Sequence, residues 1–183
     1  MEISDKVQFK RDLWKKSIPN IEKFMIRRHL IFQQMVNDGF FIFQHQDTND
    51  ITLLVFVFSE KMGIDTLKYV VAFCENMNIK NIIIVHQNFV TSNCKKVVES
   101  LFQYNIEIFE LNHFQYDITK LYYYIPHEKV EDEQTVSVIK EKYKCKIPIL
   151  LKSDAICRYF NFKRGDIIKV TRDENNICYR IVK

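Results

Sequence analysis

Two continuously apolar runs, Leu53–Phe58 (LLVFVF) and Ile82–Val85 (IIIV), constrain the fold of this chain more than any other feature. A strand with one wetted face alternates apolar and polar residues, so a run apolar at every position belongs to a strand covered on both faces. Such coverage needs helices, and helical signatures stand after each run. Asp65 can cap a helix carrying Leu67, Val70, Val71 and Cys74, and Thr91 or Ser92 can cap one carrying Cys94, Val97, Val98, Leu101 and Phe102. Ile106–Phe109 then reads as a further strand, as does Phe40–Phe43, with the polar turn His45–Asp50 leading into Ile51–Phe58. Strands alternating with helices predict an α/β layer around a mainly parallel sheet.

On the N-terminal side of that layer, Lys6–Trp14 predicts a helix, interrupted by Pro19, with Ile18 pushed toward extended geometry. A second helix is expected from the N-cap Asn20 to Asn37, because Ile21, Phe24, Met25, Ile31 and Met35 keep roughly helical spacing. Asn37-Asp38-Gly39 is its stop signal. Beyond Asn112 the pattern changes. Ile118–Ile125 is extended and tyrosine-rich, Pro126-His127 marks a turn, and Glu131–Tyr143 is a helix with acids in its first turn and lysines toward its end. Ile147–Leu151 reads as an edge strand because of Pro148. Ser153 or Asp154 caps a helix to Phe160, and Asp166–Thr171 with Ile177–Val182 forms a hairpin. The expected class is α+β: an N-terminal α/β part, 1–115, and a small C-terminal α+β part, 116–183.

Charge bears on partners. Residues 1–120 hold 14 Lys/Arg and 14 Asp/Glu, whereas residues 121–183 hold 13 and 9, which supplies the whole net charge of +4. Lys6–Arg28 adds a second basic stretch, so two basic regions flank a neutral middle, compatible with a nucleic-acid neighbour or a solvated helix face. Apolar content of 47% can fill a core and argues against disorder. The longest apolar runs are far shorter than the roughly 20 residues of a membrane span. The start of the chain, MEISDKVQFKRDLWKK, has no apolar run of the secretory kind, so a soluble intracellular protein is expected. Cys74, Cys94, Cys145, Cys157 and Cys178 are widely spaced and odd in number, which predicts reduced thiols and no local metal clip.

Motifs that carry chemistry are missing. A two-metal nuclease of the restriction type needs an E-x-K or D-x-K pair on a strand, so that carboxylates hold Mg²⁺ and the lysine polarises water; neither pair occurs. There is no G-x-x-x-x-G-K, G-x-G-x-x-G, G-x-S-x-G or H-E-x-x-H, and three glycines leave little for phosphate-cradling loops. No catalytic residue, cofactor or metal is expected. His86, at a strand end, reads as a backbone-bonded cap, Cys94 as a packing thiol, and Glu131-Asp132-Glu133 as a start complementing a helix dipole. One stretch has a local chemical reading. Thr91, Ser92 and Asn93 sit at a helix N-terminus followed by Lys95 and Lys96, where free N–H groups and lysines suit a phosphate, although an ordinary cap reads equally well.

The C-terminal third carries the densest set of specific motifs. Tyr124-Ile125-Pro126-His127-Glu128, the acid-started helix ending at Tyr143, Ile147-Pro148, Ser153-Asp154 to Tyr159, Lys163-Arg164-Gly165, Ile168-Lys169-Val170 and Tyr179-Arg180 follow in order. This set resembles the end of the fifth-largest subunit shared by the eukaryotic nuclear RNA polymerases, and the resemblance extends to its counterpart in the archaeal RNA polymerase. From about Met35 onward the rest is similar more loosely, including Met35–Phe43 as a helix-to-strand passage and Ile83–Val98 as the segment with the family's T-P-S-A signature. The resemblance implies an N-terminal jaw domain, similar to a restriction-endonuclease layer without its catalytic residues, lying beside downstream DNA. It implies a C-terminal assembly domain docked on the largest polymerase subunit. Thr91, Ser92, Asn93, Lys95 and Lys96 would then lie near DNA phosphates, and Pro126, His127, Tyr159, Lys163, Arg164, Arg172, Tyr179 and Arg180 at the subunit interface. Partners would be the largest and other polymerase subunits and downstream DNA, with no membrane and no small-molecule substrate, in the nucleus or, for a virus-encoded chain, a viral replication compartment or virion. The alternative reading is a free-standing nucleic-acid-binding protein with the same two-domain fold; a degenerate nuclease serving as a structural module is a third. This chain departs from the family at Ala155, which stands where the family has proline, at Thr91-Ser92-Asn93-Cys94 in place of T-P-S-A, in a shorter closing hairpin between Arg172 and Tyr179, and in Met1–Phe24, which has no counterpart.

Overall fold

The structure, a computed structural model, describes residues 3–59, 61–87, 89–144, 146–173 and 176–183. The protein is α+β and divides into two compact units, Met1–Tyr116 and Asp117–Lys183.

The first unit opens with helix α1, Ile3–Arg27. It is followed by strands β1, Leu30–Asn37, β2, Phe40–His45, and β3, Ile51–Val57. A two-residue strand β4, Lys61–Met62, leads to helix α2, Ile64–Asn76, and strand β5, Asn81–His86. Strand β6, Phe89–Val90, then leads to helix α3, Ser92–Ser100, and strand β7, Asn105–Glu110, closed by a 3-10 turn, Leu111–Phe114. The main sheet has the order β1-β2-β3-β5-β7. β1, β2 and β3 are antiparallel neighbours, whereas β3, β5 and β7 run parallel.

The two apolar runs occupy the middle of this sheet, and both their faces are covered as far as Val57 and Val85; Phe58, past the end of β3, is exposed. Leu53, Val55, Val57, Ile82 and Ile84 pack with Leu67, Val70 and Cys74 of α2 and Cys94 of α3. Leu54, Ile83 and Val85, on the alternate positions, are buried as well. On that side α1 brings Trp14 to Phe56, with ring centroids 4.9 Å apart, and Phe24 to Phe109 and Phe114 at 5.3 and 5.1 Å. Burial pushes the Cys74 thiol up to about 11, so it behaves as an inert packing group.

Two expectations at the N-terminus are corrected. α1 continues through Pro19 instead of breaking there. An interior proline costs about 3 kcal/mol, and the surroundings offset it. Ser17 is fully buried and its hydroxyl donates to the Leu13 carbonyl (2.9 Å), while Asn20 Nδ2 donates to the Phe114 carbonyl (2.8 Å). Asn20 is therefore a mid-helix clamp, not a cap. The helix ends at Arg27, His29 adopts a positive φ of 57°, and Leu30–Asn37 is a strand, not the continuation of a helix. Ile31 and Met35 are four apart, which places them on one face of a helix and equally on one face of a strand. Asn37-Asp38-Gly39 is a hairpin turn between β1 and β2.

Gly39 has φ +93°, and a Cβ there would lie 3.0 Å from the Phe56 carbonyl oxygen. Gly39→Ala is expected to lower stability by about 1–3 kcal/mol through backbone strain and this contact, read as a shift of the urea midpoint.

The second unit begins with a 3-10 turn, Ile118–Lys120, where the sequence predicts an extended segment. Strand β8, His127–Lys129, occupies the place read as a turn. Helix α4, Glu133–Lys142, is capped by Asp132, which accepts from the Thr135 N–H at 2.7 Å. Hydrogen bonds from the Thr135 hydroxyl and N–H hold the Asp132 carboxyl below its usual range. Strand β9, Ile149–Leu150, helix α5, Ala155–Phe160, and strands β10, Ile167–Asp173, and β11, Asn176–Val182, complete the unit. Asp154 is the cap of α5, accepting from Ile156 N–H at 2.8 Å. The sheet order is β8-β10-β11-β9, with β9 parallel to β11 at one edge. Ile139 of α4 packs with Ile147 and Ile167 on one side, while Cys157 of α5 packs with Leu150, Ile168, Val170 and Val182 on the other. The alternation along β10 and β11 thus feeds two small cores, one under each helix. Cys74, Cys94, Cys157 and Cys178 are free thiols; Cys145 lies outside the described residues.

Candidate functional site

In the first unit, α3 starts beside the C-terminal ends of β3 and β5, the position where open α/β sheets bind ligands. β4 and β6 form a separate parallel pair, Lys61 opposite Phe89 and Met62 opposite Val90. The Thr91 N–H donates to the Met62 carbonyl at 3.1 Å, which fixes the entry into α3. Thr91 is the N-cap, its hydroxyl accepting from the Cys94 N–H at 3.2 Å. Ser92, Asn93, Lys95 and Lys96 are disposed around this first turn, and all four are exposed. Cys94 points inward and burial raises its thiol, so it is a packing residue. Exposed Lys61 and Phe89, 64% exposed, share this rim and have no signal in the sequence, since two-residue strands have no period to detect. His86 is buried at the end of β5, across the ladder from Glu110. Among the described residues no group of three or more His, Cys, Asp or Glu could hold a metal ion.

A second feature without a sequence signal is internal. Arg28, 8% exposed, donates both guanidinium arms to Glu107 of β7, at 2.7 and 2.9 Å, and lies over the Phe24 ring at 4.1 Å. It ties the end of α1 to the far strand of the sheet. The two residues are 79 apart, so no local pattern announces the pair.

In the second unit, the Lys163-Arg164-Gly165 segment is an exposed tight turn. Lys163 O accepts from the Asp166 N–H (3.0 Å), the Asp166 carboxylate accepts from the Lys163 N–H (2.7 Å), and Gly165 has φ +91°. That geometry needs glycine at the third position and leaves the Lys163 and Arg164 side chains outside. Gly165 N–H further donates to the Val182 carbonyl, so the turn is stitched to β11. Arg172 is exposed near the opposite end of β10, and Glu174 and Asn175 lie outside the described residues. Pro126 and His127 lie at the outer edge of the sheet, with His127 opposite Val170 and its Nδ1 2.6 Å from the Ile125 carbonyl. Arg180 Nη1 donates to the Ile149 carbonyl at 3.2 Å. Tyr179 packs under α4 near Tyr143, and Tyr159 is buried in α5 beside Phe160. The eight residues are therefore spread over both faces and both ends of the sheet and do not form one cluster.

Comparison with known proteins bears on this second unit. Residues 116–182 match the family model described as RNA polymerase Rpb5, C-terminal domain. The chain is 34% identical over 111 residues to subunit 454R of Invertebrate iridescent virus 6, provisionally assigned to a DNA-directed RNA polymerase, covering 55% of this chain and 60% of that one. It is 28% identical over 144 residues to DNA-directed RNA polymerase V subunit 5A of Arabidopsis thaliana, covering 74% and 64%. It is 27% identical over 146 residues to DNA-directed RNA polymerases I, II, and III subunit RPABC1 of Caenorhabditis elegans, covering 75% and 69%. The matches to the first two relatives thus span less than two thirds of their length.

Proposed function

We propose that this chain, a divergent member of the RNA polymerase Rpb5 family, is a non-catalytic subunit of a multisubunit DNA-directed RNA polymerase. The observation that carries this reading is the coincidence of the matched segment, residues 116–182, with the compact unit Asp117–Lys183. That unit is the anchor on the largest subunit. Lys163 and Arg164 on their stitched turn, Arg172, and Pro126 with His127 at the sheet edge set register on the partner, while apolar burial supplies affinity. Tyr159 and Tyr179 act from beneath, holding α5 and the sheet in shape for docking. The first unit is the jaw beside downstream DNA, with Ser92, Asn93, Lys95 and Lys96 meeting phosphates without reading sequence. The setting is the nucleus, or a viral replication compartment or virion if the chain is virus-encoded.

Tagged full-length protein expressed in its source is expected to recover the largest polymerase subunits; recovery of nucleic acid alone would point to a free-standing nucleic-acid-binding protein. Replacing Lys95 and Lys96 with alanine should lower the dependence of elongation-complex stability on log salt by up to about two units, one for each phosphate deprived of its lysine. An unchanged slope would mean that these lysines do not touch DNA.

A further inference from the structure

The sheet of the first unit is unevenly covered. α2 and α3 lie over one face, while α1 is the helix over the other. Between α1 and β1–β3 this leaves a groove of about 660 Å³. Phe41, Phe43 and Leu54 line it from the sheet, Ile18 and Ile26 from α1, and Phe32 from β1. Ile26 is 70% exposed and Phe32 53%. Such contiguous apolar exposure marks an interaction site. The rim has a sign: Glu22 lines the groove, Asp47 stands 3.5 Å from Nδ1 of the lining residue His29, and no lysine or arginine among the described residues lines it.

We infer that this groove docks an amphipathic α-helix of a partner protein, its apolar stripe flanked by lysine or arginine. The helix takes the layer position that α1 leaves open, with anchors at i, i+3, i+4 and i+7 against the sheet. Charge complementarity selects the basic flank. Strand addition at the β1 edge fits less well, because register shifts at Phe32/Gln34 and Met35/Asn37 interrupt its ladder. A second copy would bring Glu22 and Asp47 of both molecules to one isologous contact. Nucleic acid fits less well, because no lysine or arginine among the described residues lines the groove.

The test uses the purified full chain and two fluorescent synthetic helical peptides with the same leucine stripe, one flanked by lysines and one by glutamates. Anisotropy should show the lysine peptide binding at least tenfold tighter. Ile26→Asp combined with Phe32→Asp should weaken it at least tenfold with unchanged circular dichroism and melting temperature, and Glu22→Lys should shift preference toward the glutamate peptide. Equal affinity for the two peptides would overturn the inference. So would binding indifferent to the Ile26 and Phe32 changes, or a self-associated chain that those changes convert to monomer. Because the peptides are titrated against the isolated chain, the outcome is independent of polymerase membership.

Discussion

Arg28→Ala should destabilise the first unit by about 3–5 kcal/mol, the usual result of removing one partner from a buried ion pair. Arg28 is nearly enclosed, its guanidinium bonded bidentately to Glu107 and stacked on Phe24. Truncation leaves a carboxylate whose side chain is 16% exposed without its two charge-assisted hydrogen bonds. It also removes the flat group that lies on Phe24 of α1 and 5.8 Å from the Phe109 ring of β7, so the end of α1 is deprived of both its electrostatic and its packing tie to β7. Arg28→Lys should recover only part of the loss, because an ammonium cannot reproduce the two-armed contact or the stacking. The double replacement Arg28→Met with Glu107→Leu should be much less harmful than Arg28→Ala, since no charge is then left buried alone. Urea unfolding followed by Trp14 fluorescence reads this, as Trp14 packs on Phe56 and Phe58 within the same unit. A change under about 1 kcal/mol for Arg28→Ala would mean that the pair is no stronger than a surface salt bridge.

The second large effect concerns assembly rather than folding. Lys163→Glu with Arg164→Glu should weaken association with the polymerase at least tenfold, while far-UV circular dichroism and melting temperature of the isolated chain stay close to wild type. The separation follows from the turn geometry. What holds the turn is two backbone hydrogen bonds, Lys163 O with Asp166 N–H and Gly165 N–H with the Val182 carbonyl, together with the Asp166 carboxylate on the Lys163 N–H. The Lys163 ammonium donates an exposed bond to Asn161 Oδ1 at 2.7 Å, which adds little. Reversing the two charges therefore alters what the turn presents, not how it is built. Gly165→Ala is the structural control. At φ +91° an alanine is strained, so that change should lower stability and assembly together. Unfolding of the charge-reversed chain would instead assign Lys163 and Arg164 to the fold.

What is legible in the sequence follows from period and length. Leu53–Phe58 and Ile82–Val85 read as covered strands because no wetted face interrupts them, and β3 and β5 are buried on both sides. The caps Thr91 and Asp154 are legible because their side chains bond locally to the first helical turn. Leu30–Asn37 reads wrongly as helix because a spacing of four residues fits either period, and the helix stop at His29 uses a left-handed residue that is not glycine. Pro19 reads as a break because the clamps that compensate for it, the Phe114 carbonyl and the 3-10 turn around it, lie 94 residues away. β4, β6 and β8, of two or three residues, are too short to carry a pattern. At the rim of α3, Ser92, Asn93 and the two lysines are visible locally. Lys61 and Phe89 are not, because only the β4–β6 pair brings them there. The groove beside α1 is invisible for a related reason, since its walls come from a helix and a strand that the spacing of apolar residues joins into one helix.

The central claim is that the chain is a polymerase subunit held by its second unit, and it is tested most directly by composition. Polymerase isolated from the source through its largest subunit, quantified by mass spectrometry, should contain this chain at one copy per largest subunit. Its place should be lost when the Lys163→Glu, Arg164→Glu variant replaces the wild-type chain. A polymerase that lacks the chain, or holds it only in traces that wash away with nucleic acid, would contradict the account.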